Sequence, residues 1–356
     1  MVSNKGVIFR SIPTGFPVPG KDLVIETQQF DLDQAPPAGG VIIKTLYASF
    51  DPYMRGRMRD ASIESYSPAF TLNEPITSWS LAKILKSDHP GLKEGDLIVS
   101  MIPVAEYSVL SKDFIGQLGS TASCAGTRKI DNKYGLDPKL YIAALGMPGL
   151  TAYSSFYAIG KPVKGETIFV SAASGAVGQL VGQLAKHEGL RVIGSVGSQE
   201  KLDYITKELK FDGGFNYKTE KPADALKRLA PDGIDIFYDN VGGEQLQAAL
   251  DALKPHGRTV VCGMISEYNS EEKFKLGNLM QIVAKRLTIR GFIVGDKDMG
   301  HVYGEEHIEN VSKWLKEGSF VAKLSVTDGI DNAVEGFVGL LQGKNFGKAI
   351  LKIADA

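Results

Sequence analysis

The chain has 356 residues, 43% of them hydrophobic, and 40 Lys and Arg set against 41 Asp and Glu leave a formal net charge of -1. That length suits two domains better than one core, and the balanced charge, with no run of Lys and Arg, offers no general attraction to nucleic acid or an anionic membrane, so a small-molecule partner is expected. Residues 1–10 carry no long apolar h-region with a small-residue cleavage site, and no apolar stretch reaches the roughly 20 residues of a membrane span, so a reducing, cytoplasmic setting is expected.

The first 110 or so residues read as β-rich. Short apolar runs such as Gly40-Val41-Ile42-Ile43-Lys44, Leu97-Ile98-Val99 and Ala105-Glu106-Tyr107-Ser108-Val109 are separated by Pro and Gly turns. Residues 119–138 are polar and rich in small side chains and read as a linker or excursion. From about Lys164 the pattern changes to strands alternating with helices. The unbroken apolar run Thr167-Ile168-Phe169-Val170 predicts a buried parallel strand. Val177, Leu180, Val181, Leu184 and Ala185 then recur at helical spacing over 177–187. A strand at 191–194, a helix at 201–209, a strand at 234–238 and a helix at 245–253 follow, with further strands at 258–261 and 288–293. Such alternation predicts a doubly wound parallel sheet. Residues 320–352 return to short β-like pieces around a helix at 332–341. That return suggests a first domain of residues 1–138 completed by 320–356, with 139–319 as the second.

Between the strand at Ile168 and the helix at Val177 lies Ser171-Ala172-Ala173-Ser174-Gly175-Ala176-Val177-Gly178. Small residues in such a turn let the backbone approach a pyrophosphate, whose charge the helix N-terminus then meets. Glycine-rich turns also exist for close packing alone, but the strand–turn–helix context points to a dinucleotide. The next strand ends in Gly194-Ser195-Val196-Gly197-Ser198-Gln199-Glu200-Lys201, with no carboxylate at its tip to accept from a ribose. Ser198 and Lys201 suit a 2′-phosphate instead, which predicts NADPH. The bland alternative is that Lys201 is a solvated helix-face residue partly neutralised by Glu200.

Metal chemistry finds little support. The two cysteines, Cys124 and Cys262, are too few for a four-cysteine zinc lobe or a disulfide framework. Of the five histidines, only His301 and His307 are close, and six residues is a poor spacing for one helical face. Each histidine reads as a surface or locally bonded residue, and Cys262 as small and buried. No Gly-x-Ser-x-Gly elbow suggests acyl transfer. Without zinc, a carbonyl must be polarised by a hydroxyl or by the cofactor ribose, which suits conjugate reduction with a tyrosine as donor.

The motifs Asp51-Pro52-Tyr53-Met54-Arg55-Gly56-Arg57-Met58, Leu145-Gly146-Met147-Pro148-Gly149-Leu150-Thr151-Ala152-Tyr153, Phe215-Asn216-Tyr217-Lys218, Asp239-Asn240-Val241-Gly242-Gly243, Cys262-Gly263-Met264-Ile265-Ser266-Glu267-Tyr268-Asn269 and Gly343-Lys344-Asn345-Phe346-Gly347-Lys348 run the length of the chain. With residues 171–178 they make it resemble the leukotriene B4 dehydrogenase/prostaglandin reductase and alkenal double-bond reductase family of zinc-independent medium-chain dehydrogenases/reductases. The resemblance implies a Rossmann domain, a GroES-like catalytic domain and a homodimer. It implies that Gly175, Ala176 and Val177 line the pyrophosphate, that Lys201 and Tyr217 hold the adenosine 2′-phosphate end, and that Asn240, Cys262, Gly263 and Asn345 approach the nicotinamide half, with Gly197, Ser198, Phe292, Val294 and Gly347 as further cofactor contacts. Tyr268 would polarise the substrate carbonyl beside the nicotinamide ribose, and Tyr53 would wall the pocket and donate to the same oxygen.

The expected reaction is NADPH-dependent reduction of the C=C bond of an α,β-unsaturated aldehyde or ketone. Quinone reduction and a non-catalytic NADPH-binding role remain as alternatives, and alcohol dehydrogenation is a weaker one. Tyr53 also reads as a turn aromatic, and Arg55 and Arg57 as structural ion-pair residues. The segment Ile76-Thr77-Ser78-Trp79-Ser80-Leu81-Ala82 departs from the family pattern, so Trp79 either reshapes the pocket or packs under a strand.

Overall fold

A computed structural model describes residues 1–116 and 126–355. Cys124 and part of the expected linker therefore lie outside the described residues. The chain divides into two compact units, one of Met1–Met147, Gly304–Lys316 and Leu324–Ala356, the other of Pro148–Tyr303 and Glu317–Lys323.

The first unit is built on a seven-stranded sheet. Its strands lie in the order Leu324–Asp328, Lys348–Lys352, Val41–Ser49, Thr77–Ser87, Leu97–Pro103 and Arg128–Lys129, with Tyr107–Leu110 pairing to Val41–Ser49. Pairing is antiparallel except between Leu324–Asp328 and Lys348–Lys352, which are parallel and joined across the helix Ala333–Leu341. Strands Val2–Phe9 and Leu23–Phe30 form a separate ribbon. Beneath it, Phe9, Phe50, Met54 and Phe337 fill a core in which alternate strand residues point inward. Lys348 is buried in this unit. Its ammonium donates to the Phe50 carbonyl at 2.5 Å and to Asp51 Oδ1 at 2.8 Å, which offsets part of the cost of desolvating both charges.

The second unit holds a six-stranded parallel sheet in the order Gly213–Asn216, Arg191–Val196, Thr167–Val170, Ile234–Asp239, Leu253–Val261 and Thr288–Gly291. Numbered within the unit, the order is 3-2-1-4-5-6, and it reverses between Thr167–Val170 and Ile234–Asp239. This is a Rossmann fold, whose ligands lie outside the carboxyl ends of the strands at that reversal. Phe169 stacks between Phe215 at 5.8 Å and Phe237 at 5.0 Å, so one aromatic row ties three strands together.

Several elements escape a reading by periodicity. The strand Gly213–Asn216 opens with two glycines, which weaken the strand signal. A Cβ on Gly214 would come within 2.8 Å of Leu202 and 3.0 Å of the Gly194 carbonyl, so glycine is needed there for close packing. The helix Gly300–Glu317 buries Gly304, His307, Val311 and Ser312. That row has helical spacing but only one large apolar member. The expected helix at 201–209 begins earlier, as Gln199–Asp203, and then widens into a π turn over Tyr204–Glu208. The expected helix at 245–253 runs Gly243–Ala252, and the strand expected at 258–261 begins at Leu253.

Candidate functional site

The turn after the first strand of the Rossmann sheet is shaped to admit a phosphate. Ala172 sits at φ +48°, a left-handed conformation that favours glycine. Gly175 is extended and precedes the helix Ala176–His187, whose first turn carries no side-chain cap. Its N–H groups and dipole therefore face outward. Gly178 cannot bear a side chain: a Cβ there would lie 2.4 Å from the Ala172 carbonyl oxygen and 2.8 Å from Ala173 Cα. Gly175, Ala176 and Val177 are thereby fixed at one strand-to-helix corner.

The end of the second strand, Arg191–Val196, forms a neighbouring corner made of side chains. Ser198 caps the next helix, its hydroxyl accepting the Lys201 N–H at 3.3 Å. The Tyr217 ring lies over Gly197, with its hydroxyl only 2.8 Å from where a Cβ on that glycine would stand. Burial lowers the Lys201 ammonium from its usual pKa, and the Lys218 charge beside it lowers it further, while Glu200 opposes both. Two lysines that repel each other beside a hydroxyl cap and a tyrosine suit a dianionic phosphate. Sequence reading had not assigned Lys218. Its signal was present, one residue after Tyr217, but only the pairing of Gly213–Asn216 with Arg191–Val196 brings it beside Lys201.

At the reversal of strand order the site is made of backbone. The Asn240 N–H donates to Ser171 Oγ at 2.8 Å, and its Nδ2 to the Ser171 carbonyl at 2.7 Å. Cys262 and Gly263 donate their N–H groups to the Asp239 carbonyl at 2.8 and 3.1 Å. Tyr268 folds back over this turn, and its hydroxyl accepts the Met264 N–H at 3.3 Å. A Cβ on Gly263 would meet that hydroxyl at 2.9 Å, so the glycine makes room for the ring. Cys262 is half-buried. Burial raises its thiol to about 12, the Tyr238 hydroxyl lowers it and the Asp239 carboxylate raises it, so it stays a protonated thiol at neutral pH. Phe292 and Val294 are half-buried beyond the last strand. The turn at Gly175, Ala176 and Val177, the corner at Ser198 and Lys201 and the Asn240, Cys262 and Tyr268 loops thus all lie at the carboxyl ends of one sheet.

The remaining candidates belong to the first unit. Burial, with the Asp51 charge, raises the Tyr53 hydroxyl above its usual pKa, and Arg57 lowers it. The hydroxyl contacts the Met101 sulfur at 3.9 Å. Met101 pairs across the ladder with Trp79, which is half-buried on the Thr77–Ser87 strand. Asn345 donates Nδ2 to the Gly347 carbonyl at 2.7 Å, and Gly347, at φ +85°, precedes the buried Lys348 that binds Asp51. The buried Lys348–Asp51 pair therefore ties the residue that follows Gly347 to the start of the motif that carries Tyr53.

Arg55 and Arg57 are structural, but through carbonyl oxygens where carboxylates were expected. Arg55 donates to the Pro13 and Gly15 carbonyls, while Arg57 donates to those of Pro68 and Thr77 and stacks 4.1 Å over Phe70. His307 is neither superficial nor bonded locally. It is buried, its Nε2 lies 2.8 Å from the Ala144 carbonyl oxygen, and burial lowers it to about 4. Among the described residues no group of three or more His, Cys, Asp or Glu side chains is arranged to hold a metal ion. A cleft of about 740 Å³ runs along residues 59–72 beside Ile12, and none of the predicted site residues lines it.

Comparison with known proteins identifies the family. The family described as zinc-binding dehydrogenase matches residues 176–316, and the N-terminal domain of oxidoreductase matches residues 5–118. The chain is 50% identical to the NADP-dependent oxidoreductase RED1 of Cochliobolus heterostrophus, over 100% of this chain and 99% of that one. It is 42% identical to a 2-alkenal reductase (NADP(+)-dependent) of Nicotiana tabacum, over 99% and 98%. The structure of CurA from Vibrio vulnificus in complex with NADPH superposes with a TM-score of 0.87 at 31% identity, covering 99% of this chain and 100% of that one.

The chain belongs to the medium-chain dehydrogenase/reductase superfamily, in the alkenal reductase group. It is an NADP-dependent oxidoreductase with a Rossmann domain and a GroES-like domain, and its cofactor is NADPH. No helix among the described residues is long and apolar enough to cross a membrane.

Proposed function

We propose that this oxidoreductase reduces the C=C bond of α,β-unsaturated aldehydes and ketones without zinc. The observation that carries the reading is Tyr268, folded over the Cys262-Gly263 turn at the reversal point, where its hydroxyl stands at the carboxyl ends of the central strands. Similarity to a protein named as a 2-alkenal reductase supports the substrate class.

In this reading residues 139–319 form the cofactor domain, and residues 1–138 with 320–356 the catalytic one. Gly175, Ala176 and Val177 hold the pyrophosphate, and Gly197, Ser198, Lys201 and Tyr217, now joined by Lys218, hold the 2′-phosphate. Asn240, Cys262, Gly263, Phe292, Val294, Asn345 and Gly347 bind the nicotinamide half. Bound NADPH supplies hydride to the substrate β-carbon. The Tyr268 and Tyr53 hydroxyls donate to the carbonyl oxygen, where negative charge grows as the enolate forms. Solvent then protonates the α-carbon, a step that needs no strong acid from the protein.

The test is NADPH consumption with a medium-chain 2-alkenal or 1-alken-3-one, with the product identified by mass. A saturated carbonyl is expected, whereas an allylic alcohol, or faster turnover of flat quinones, would overturn the reading. Tyr268→Phe is expected to lower kcat about 100-fold at saturating enone. Unchanged turnover would remove Tyr268 from the polarising role.

The assembly proposed is a homodimer. The edge strand Thr288–Gly291 is exposed along its whole length, and Met280 and Val283 beside it are 72% and 68% exposed. Unpaired edges of this kind invite strand pairing. Light scattering that returns the mass of one chain would refute the dimer.

A further inference from the structure

The hydrogen bonds at the reversal point converge on a residue with no role assigned above. Asp239 ends the strand Ile234–Asp239 and is fully buried. Its Oδ1 accepts the N–H of Val241 at 2.9 Å, the N–H of Gly242 at 2.8 Å and the Ser171 hydroxyl at 3.3 Å. Its backbone carbonyl accepts from Cys262 and Gly263. Ser171, in turn, bonds both the main chain and the side-chain amide of Asn240. One residue therefore joins the turn after the first strand, the loop after the fourth and the turn after the fifth.

A carboxylate is an expensive way to close a loop. Asp239 Oδ2 is buried without a hydrogen-bond partner among the described residues. Buried ionised oxygen costs free energy when unpaired, and an asparagine would close the same turn without a charge. What the charge adds is strength on the paired side, because a charged acceptor binds several donors on one oxygen more tightly than a neutral one. The loops so held are Asn240–Gly242 and Cys262–Gly263. The phosphate corner at Ser198, Lys201, Tyr217 and Lys218 makes no hydrogen bond to Asp239 among those described.

We propose that Asp239 is a positioning residue for the nicotinamide half of NADPH, fixing Asn240 and the Cys262-Gly263 turn as one rigid floor while leaving the adenosine phosphate end untouched. The proposal rests on the nicotinamide assignment of Asn240, Cys262 and Gly263 proposed above and is independent of the enone reading, because its test needs no substrate.

The full-length protein with Asp239→Ala is titrated with NADPH and with adenosine 2′,5′-bisphosphate, which carries the 2′-phosphate and no nicotinamide. NADPH affinity is expected to fall about 10-fold to 100-fold, since three donors lose their acceptor. Affinity for the bisphosphate is expected to hold within about twofold, the effect of a change outside its contacts. Asp239→Asn keeps one neutral acceptor oxygen but loses the charge, and is expected to recover only part of the NADPH affinity, between the wild type and Asp239→Ala. Equal losses for both ligands would mean general damage to the fold, and no loss for either would mean that the loops hold themselves. Either result overturns the proposal. Where Asp239→Ala does not fold, Ser171→Ala takes its place, with the same contrast expected at smaller amplitude.

Discussion

The two ends of the proposed cofactor site are built on opposite principles. The phosphate corner is partly exposed and made of side chains: a hydroxyl cap, two ammonium groups and a tyrosine that is 42% exposed. The floor at the reversal point is half-buried and made of backbone, held by the fully buried Ser171 and Asp239 and by Asn240. A side-chain site loses one interaction when one residue changes. A backbone site moves as a unit, because its donors and acceptors belong to loops that share anchors. The corner should therefore respond to substitution in proportion, and the floor cooperatively.

Gly178→Ala tests the turn between the two ends and should have the largest effect. The added methyl meets backbone, not a flexible side chain, at 2.4 Å. Overpacking of this kind costs about 1–3 kcal/mol, and displacing the turn should cost about 100-fold in NADPH affinity. Normal binding in a fluorescence titration would show that this corner does not seat the pyrophosphate.

Lys201→Ala combined with Lys218→Ala should come next. Loss of two charge-assisted contacts is expected to weaken NADPH about 10-fold to 100-fold while leaving NADH unchanged. Equal weakening of both cofactors would mean that the lysines serve the fold and not the 2′-phosphate.

The smallest effect is on stability against pH. Burial raises the Asp239 carboxyl to about 6, with the Val241 and Gly242 N–H groups and the Ser171 hydroxyl pulling it down. An unfolded Asp titrates near ~3.9, so between about 4 and 6 the folded chain binds the extra proton. Its contribution to stability is therefore present at low pH and lost as pH rises through that window. Asp239→Asn should flatten the dependence of Tm on pH there. An unchanged slope would mean that Asp239 does not titrate as its burial requires.

Legibility followed the same division. The strand Thr167–Val170 and the helix after it announced themselves by an unbroken apolar run and a 3.6-residue period. Lys201 was visible because a charge just past a strand end carries its own chemistry, whereas Tyr217 entered only through the motif Phe215-Asn216-Tyr217-Lys218. Asp239 was visible only as a letter in a motif, since its role lies in which backbone groups surround it. Lys218 stands next to Tyr217 in sequence, but its neighbour in space, Lys201, lies across a strand pairing that adjacency does not reveal. His307 looked like a surface residue because its helix buries glycine and serine where an apolar stripe normally stands.

The sequence by itself determined the doubly wound architecture, the glycine-bearing strand-to-helix corner and the preference for a phosphorylated cofactor, because each depends on local periodicity or on residue chemistry within a few positions. Only the tertiary structure decided the strand order 3-2-1-4-5-6, the meeting of Lys201 with Lys218, and the convergence of three loops on Asp239. Those depend on pairings between segments tens of residues apart, which leave no periodic trace in the chain because hydrogen bonds between backbone groups are blind to residue type.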